Sequence, residues 1–327
     1  MKLYHLLAAT LSLTFAACSQ ETMKEEEQTR CITFLSDHAA NATEITRGTQ
    51  VSSLASFGVS AAIYDSGSSY ASAPCGSFFH CLSATSGVAT SYYWPVSGYK
   101  MAFYAYYPYN NANLTASSAS TVGRPVYTYT VPQAIASQVD VMTAELTDRL
   151  TSNTSNVSLS FGHRCSDLRF KVYNQQSATI TVKRISVYGV KYSGTYTTGT
   201  SWSLTGSANS SSSHPFTLTV NTNVTSGSTV DVTGTSNHFL MLPQNIAADT
   251  DFLYIETEET VAGDTYDRNY TYTLPSAFTM AMGESYDFTL TLGNGQLLVS
   301  NTSSIMDWQP VINMEPGTIS ITNWQAQ

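Results

Sequence analysis

Cys18 is the residue whose chemistry is most clearly set by its neighbours. Lys2 gives a short positive start, residues 3–15 are mostly apolar, and Ala16 and Ala17 place small side chains just before the thiol. A cysteine in that setting is the acceptor for lipid in exported bacterial proteins, because small residues let a peptidase grip extended backbone beside a bulky thioether. The apolar run is too short to cross a bilayer core of about 30 Å, so residues 1–17 read as a cleaved signal peptide and not as a membrane helix. Phe15 stands where such signals usually carry Leu. The other reading is an ordinary secretory signal cut near Ala17, and with either one the chain is exported.

The remaining reactive side chains are sparse. Cys75 and Cys81 lie in the turn-rich stretch SAPCGSFFHC and suit a local disulfide in an exported protein, with free thiols as the other reading. Zinc is disfavoured there, because there is no CxxC pair and His80 adjoins Cys81 too closely for both to ligate one ion. His163 and Cys165 stand two apart in a strand and share a face; Asp264 and Asp267 could offer oxygens to calcium, but read better as a solvated hairpin. No GxSxG elbow, HExxH helix or lysine-bearing phosphate loop occurs. These residues give no nucleophile with its base, so the chain is expected to be no enzyme and to need no metal or cofactor. The tyrosines of residues 92–109 could stack on the C–H face of a sugar, or serve as core on one face and half-buried cover on the other.

Composition narrows the elements that position these groups. Only 11% of the 327 residues are charged, whereas Ser, Thr, Gly, Asn and Tyr abound, which favours strands and tight turns over helices. The net charge of −9 with just 14 Lys and Arg argues against nucleic acid as a partner. Glu21, Glu25, Glu26 and Glu27 make residues 18–30 an acidic, solvated tether. The segment YKMAFYAYY at 99–107 alternates Met101, Phe103 and Ala105 against Ala102, Tyr104 and Tyr106, and Pro95 and Pro108 bracket it. Further strands are expected at 57–64, 126–131, 157–161, 168–173, 180–189, 216–220, 239–242, 252–257, 270–274 and 286–292, with one short helix at 134–139. Short strands at this spacing mean β-sandwiches. The polar run TSNTSN at 151–156 marks a domain boundary, giving domains at 31–153 and 154–310 and a tail at 311–327.

Five strings in order carry a family resemblance: YYWPVSGYKMAFYAYYPYN at 92–110, YTVPQAIASQVDVMTAELTD at 129–148, VSLSFGHRCSDLRFKV at 157–172, HFLMLPQNI near Leu242, and GESYDFTLTL near Tyr286. Together they resemble the fimbrillin family of Bacteroidetes, whose members are subunits of surface fibres. The resemblance implies an all-β protein of two tandem transthyretin-like β-sandwich domains, delivered to the outer membrane as a lipoprotein. An acidic stretch after the lipidated cysteine resembles that group's signal for the outer face of the outer membrane. The resemblance also implies that a trypsin-like protease cuts after an arginine near the start of the fold, removes the first strand, and opens a groove that another subunit's C-terminal strand fills.

On this sequence the candidate first strand begins at CITFL, residues 31–35, within the removable segment 31–47. Arg47 followed by Gly48 is the expected cleavage point, with Arg30 second and an uncut loop arginine as the plain alternative. In the tail, TISIT alternates with period 2, and Ile319, Ile321 and Trp324 supply the apolar side chains of a candidate donor strand. The same tail could instead complete its own domain. The function implied is a structural or accessory subunit of a surface fimbria (pilus) that partners other fimbrial subunits and leaves the membrane for the fimbrium after processing; the second is a tip adhesin or glycan-binding surface lipoprotein of the same fold.

Overall fold

The computed structural model describes residues 30–38, 54, 56–68, 76–117, 124–234, 236–261, 263–293, 296–305, 308–311 and 319–326. These residues are almost entirely strand, as the alternating apolar, aromatic and β-branched sequence dictates. In chain order β1 (Cys31–His38), β2 (Ser56–Asp65), β3 (Gly76–Thr85), β4 (Ala89–Tyr93), β5 (Tyr99–Tyr107), β6 (Leu114–Ala116), β7 (Val126–Thr130) and β8 (Met142–Leu150) come first. They are followed by β9 (Val157–His163), β10 (Ser166–Asn174), β11 (Ile180–Val187), β12 (Ser193–Thr197), β13 (Ser203–Thr205), β14 (Phe216–Val224), β15 (Thr229–Asp231) and β16 (Phe239–Met241). The last are β17 (Gln244–Ile246), β18 (Asp251–Val261), β19 (Asp264–Thr273), β20 (Phe278–Met280), β21 (Ser285–Gly293), β22 (Gln296–Ile305), β23 (Trp308–Val311) and β24 (Ile319–Ala326). The expected short helix is a single 3₁₀ turn, Ile135–Ser137.

The strands form mixed sheets that pack as sandwiches. A seven-stranded sheet runs β3-β2-β5-β8-β9-β1-β4; further on, β15-β10-β21-β22-β23 and β14-β11-β18-β19-β24 form two more, and β13-β12-β7-β6 and β17-β20 complete the set. Two apolar cores dominate. The first is built on Ile32, Phe34, Phe57, Trp94, Phe103 and Phe161. The larger gathers Phe170, Ile185, Phe216, Phe252, Tyr270 and Phe288, and the rings of Phe252 and Phe288 meet between different sheets at 5.9 Å.

The polar run at 151–156 is not a boundary between these cores but the turn joining β8 to β9. Val157, Leu159 and Phe161 of β9 are buried in the first core, so chain after the run returns to the sheet before it. Arg149 ties the turn by donating to Asn153 Oδ1, Ser155 Oγ and the Ser155 carbonyl at 2.6–3.0 Å. Conversely β6 and β7, which precede the run, belong to the larger core: β7 pairs with β12, and Tyr127, Tyr129 and Val131 are buried there. Gln138 secures this crossover, its Oε1 accepting the Leu240 N–H at 2.8 Å.

Candidate functional site

The alternation in CITFL puts Ile32 and Phe34 on one face of β1, and both are fully buried. The Phe34 ring meets Phe57, Phe79 and Phe103 edge-on at centroid distances of 6.4, 6.4 and 5.5 Å, the arrangement that aromatic quadrupoles favour. Its backbone is held on both sides. β1 runs parallel to β9 from Phe34 opposite Val157 to His38 opposite Phe161, and antiparallel to β4 with Cys31 opposite Tyr93. The Phe34 carbonyl accepts the Gly87 N–H at 2.8 Å, and the Arg30 carbonyl accepts the Trp94 N–H at 3.2 Å.

β1 is therefore an interior strand supplied by the start of the fold. Among the described residues, β4 has β1 as its one neighbour in the seven-stranded sheet, and β9 meets β8 only through Met142 opposite His163 and Thr143 opposite Gly162. Without β1, the backbone of β9 over 157–161 and that of β4 around Ala89 and Tyr93 would lose their ladder partners beside the apolar strip that Ile32 and Phe34 now fill. Such a slot accepts an extended chain with apolar side chains at alternate positions, since that supplies both ladder and core.

At the other end β24 lies antiparallel on β19, with Ile319 opposite Tyr272 and Ala326 opposite Tyr266. Ile319, Ile321 and Trp324 thus belong to the outermost strand of the five-stranded sheet, paired to their own chain along one edge. An edge strand gives up one ladder when it leaves; β1 gives up two.

Cys18, Arg47, Gly48 and Cys75 lie outside the described residues. Arg30 is exposed at the start of β1 and donates to Thr154 Oγ1 at 3.3 Å, so a cut there would leave β1 in place. Cys81 is half-buried at φ 47°, with Sγ 3.1 Å from His80 Nε2 and its N–H donated to Ser60 Oγ. His163 is paired with Asp140, while burial pushes the Cys165 thiol far above its usual range, which makes it a poor nucleophile. Asp264 and Asp267 sit on the β18–β19 hairpin, and no cluster of three His, Cys, Asp or Glu able to hold a metal occurs among the described residues.

The aromatic strand is placed differently from its sugar-stacking reading. β5 lies inside its sheet and is covered on both faces: Met101, Phe103 and Ala105 enter the first core, and Ala102 and Tyr104 pack with Ala62 and Tyr64. Tyr104 is 1% and Tyr106 5% exposed. The Tyr106 ring lies directly on Gly58, where an added Cβ would come within 2.2 Å of Cε1. Neither ring has a face free for a ligand. The sequence carried no signal for a different aromatic pair: Tyr188, just past the end of β11, and Tyr254 on β18 bring their rings 6.3 Å apart.

A family model described as fimbrillin-like matches residues 78–308, a stretch that begins after β1 and β2 and ends before β24. Among solved structures, a provisionally named cell adhesion protein of Bacteroides uniformis aligns with TM-score 0.45 and 17% identity, covering 84% of this chain and 98% of its own. A second such protein, of Bacteroides ovatus, gives 0.45 and 15% with 91% and 98% covered. A fimbrial assembly protein of Parabacteroides distasonis gives 0.35 and 10% with 86% and 95% covered. No curated protein matches the chain.

Proposed function

The chain belongs to the fimbrillin-like family, and we propose that it is a structural subunit or accessory component of a surface fimbria, joined to its neighbours by exchanged strands. Membership of the family implies a cell-surface location. The observation that carries the finer reading is β1: an interior strand, first in the fold, on which β4 and most of β9 depend.

In this reading the precursor is exported through the signal at residues 1–17 and carried to the outer membrane by lipid on Cys18. A trypsin-like protease cuts between Arg47 and Gly48, and β1 departs with the lipid. The slot then takes β24 of another subunit, with Ile319 and Ile321 as replacements for Ile32 and Phe34. The energetics suit a stable joint. Each fully buried side chain of this size contributes about 1.5–3 kcal/mol, and each recovered ladder hydrogen bond adds roughly 0.5–1.5 kcal/mol.

The direct test is complementation by peptide. The chain is cut after Arg47, β1 is removed in mild denaturant, and a peptide of residues 319–326 is added. Recovered amide protection over 157–161 is expected. Equal binding of that peptide to the uncut chain, or none to the cut one, would refute strand exchange at this slot. A glycan-binding role on the same fold is the second reading, and the outer face of the β11–β18 sheet favours it.

A further inference from the structure

We propose that the outer face of the sheet β14-β11-β18-β19 carries a binding groove for a neutral saccharide. Cross-strand pairing sets its floor: Ser186 stands opposite both Thr217 and Tyr254, and Tyr254 opposite Thr271, so these four residues form one row on the face turned away from the core. The adjoining row places Arg184 opposite Thr219 and Glu256. Tyr188 and the 209–215 loop close one end. The concavity holds about 600 Å³, within the range of roughly 300–1,000 Å³ for small-ligand sites.

Its chemistry is that of sugar recognition. Tyr188 and Tyr254 are half-buried with their rings inclined at 46°, offering electron-rich surfaces to the polarised C–H face of a pyranose. The Arg184 guanidinium lies 5.8 Å from the Tyr254 ring centroid and 2.6 Å from Glu256 Oε2, which fixes it while leaving donors on its fork. Asp251 is exposed and holds the Thr273 hydroxyl through Oδ1 at 2.6 Å, so Oδ2 can accept from a ligand hydroxyl. Ser186, buried beneath the floor, bonds Thr217 at 2.8 Å, which leaves hydrogen-bonding capacity on the half-buried Thr217 hydroxyl.

The walls are preorganised. Buried Asn209 accepts the Val190 N–H and donates to the Val187 and His214 carbonyls at 2.9–3.2 Å, anchoring the loop. Gly189 makes the bend at the closed end with φ 71°, and a Cβ there would stand 2.3 Å from Thr250 Cγ2. Little ordering is left for the ligand to drive.

Charge selects the ligand class. Among the described lining residues the one cation, Arg184, is neutralised by Glu256, and the Asp251 carboxylate makes the groove net negative, so phosphate, sulfate and sialic acid are repelled. A lipid chain would find no continuous apolar wall among Arg184, Ser186, Thr217, Asp251 and Thr271. A neutral hexose matches both rings and hydroxyl partners. The site does not depend on strand exchange, although a fibre would multiply weak single contacts into avidity.

The test is an array of neutral oligosaccharides built from glucose, galactose, mannose, fucose and N-acetylhexosamines, alongside their sialylated and sulfated forms, probed with the full chain. Binding to neutral members is expected, falling about tenfold in Tyr188→Ala, Tyr254→Ala and Asp251→Asn, each checked for an unchanged thermal midpoint, while Tyr254→Phe retains it. If Tyr254→Ala does not fold, the other two variants decide. Absence of neutral-sugar binding by the wild type, stronger binding of the sialylated forms, or binding untouched by Tyr188→Ala and Asp251→Asn would overturn the proposal. A negative array would leave the peptide complementation result, and hence the fimbrial reading, unaffected.

Discussion

Replacing Phe34 with Ala in the uncut chain isolates what β1 contributes. The ring is fully buried and makes three edge-on aromatic contacts, so its loss removes both transfer energy and packing. Truncation of a buried phenylalanine costs about 3–5 kcal/mol, a large share of the roughly 5–15 kcal/mol that stabilises a typical fold. Because Phe34 packs only in the first core, the cost should fall on openings of β1, β4 and β9. Hydrogen exchange followed by peptide reads this directly. Protection over Val157–His163 should drop by about a hundred- to several-thousand-fold, since each 1.4 kcal/mol is tenfold. Protection over Ser285–Gly293 of β21, which lies in the larger core, should hold. Leu298→Ala, at a side chain 45% exposed, serves as the neutral control. A drop below about tenfold in β9, or an equal drop in β21, would refute the dependence of the first core on β1.

Other expectations concern buried polar groups and close packing. Burial opposes ionisation of Asp167, but His238 and Arg169 outweigh it and hold the carboxyl below 3.8, while burial pulls His238 down and Asp167 outweighs that to hold it above 6.5. The depressed acid contributes stability above its unfolded value that is lost as pH falls through the folded one; the raised histidine contributes below 6.5 and loses this as pH rises through its folded value. Thermal midpoints should therefore peak between about pH 4 and 6.5, and His238→Gln should flatten the alkaline decline; an unchanged decline would contradict the assignment. Glu259, 1% exposed, is paired with Arg268 at 2.8 Å, so Arg268→Met should cost about 3–5 kcal/mol in urea unfolding; a cost under about 1 kcal/mol would contradict the pairing. Gly58→Ala should cost about 1–3 kcal/mol by driving a Cβ into the Tyr106 ring, with Tyr106→Ala relieving part of it, and a neutral Gly58→Ala in the same melts would rule the contact out.

Much of the strand pattern could be read from the sequence because it is a local property. The segment between Pro95 and Pro108 became β5, and the alternation of Ile32 with Phe34 marked β1 as half-buried before any partner was known. Partners were not legible. β1 lies parallel to β9, far along the chain, and nothing within either segment encodes that register. The run 151–156 misled for a related reason: turns and linkers draw on the same polar residues, and what distinguishes them is the return of Val157, Leu159 and Phe161 to the first core, with the bonds from Arg149 tying the turn. Tyr104 and Tyr106 misled because a tyrosine is amphipathic. Tyr104 is buried against Ala62, Tyr64 and Ala102, and Tyr106 lies against Gly58, a contact made across strands. The groove was invisible for the same reason, since Arg184, Thr217, Asp251 and Thr271 come together only through sheet register.

If β1 is a temporary strand, as we propose, the mature N-terminus of the protein in isolated surface fibres will show it. Sequencing that terminus should give Gly48, with residues 31–47 missing from the polymer. Fibres in which every copy keeps a lipidated Cys18 and an intact segment 31–47 would contradict it.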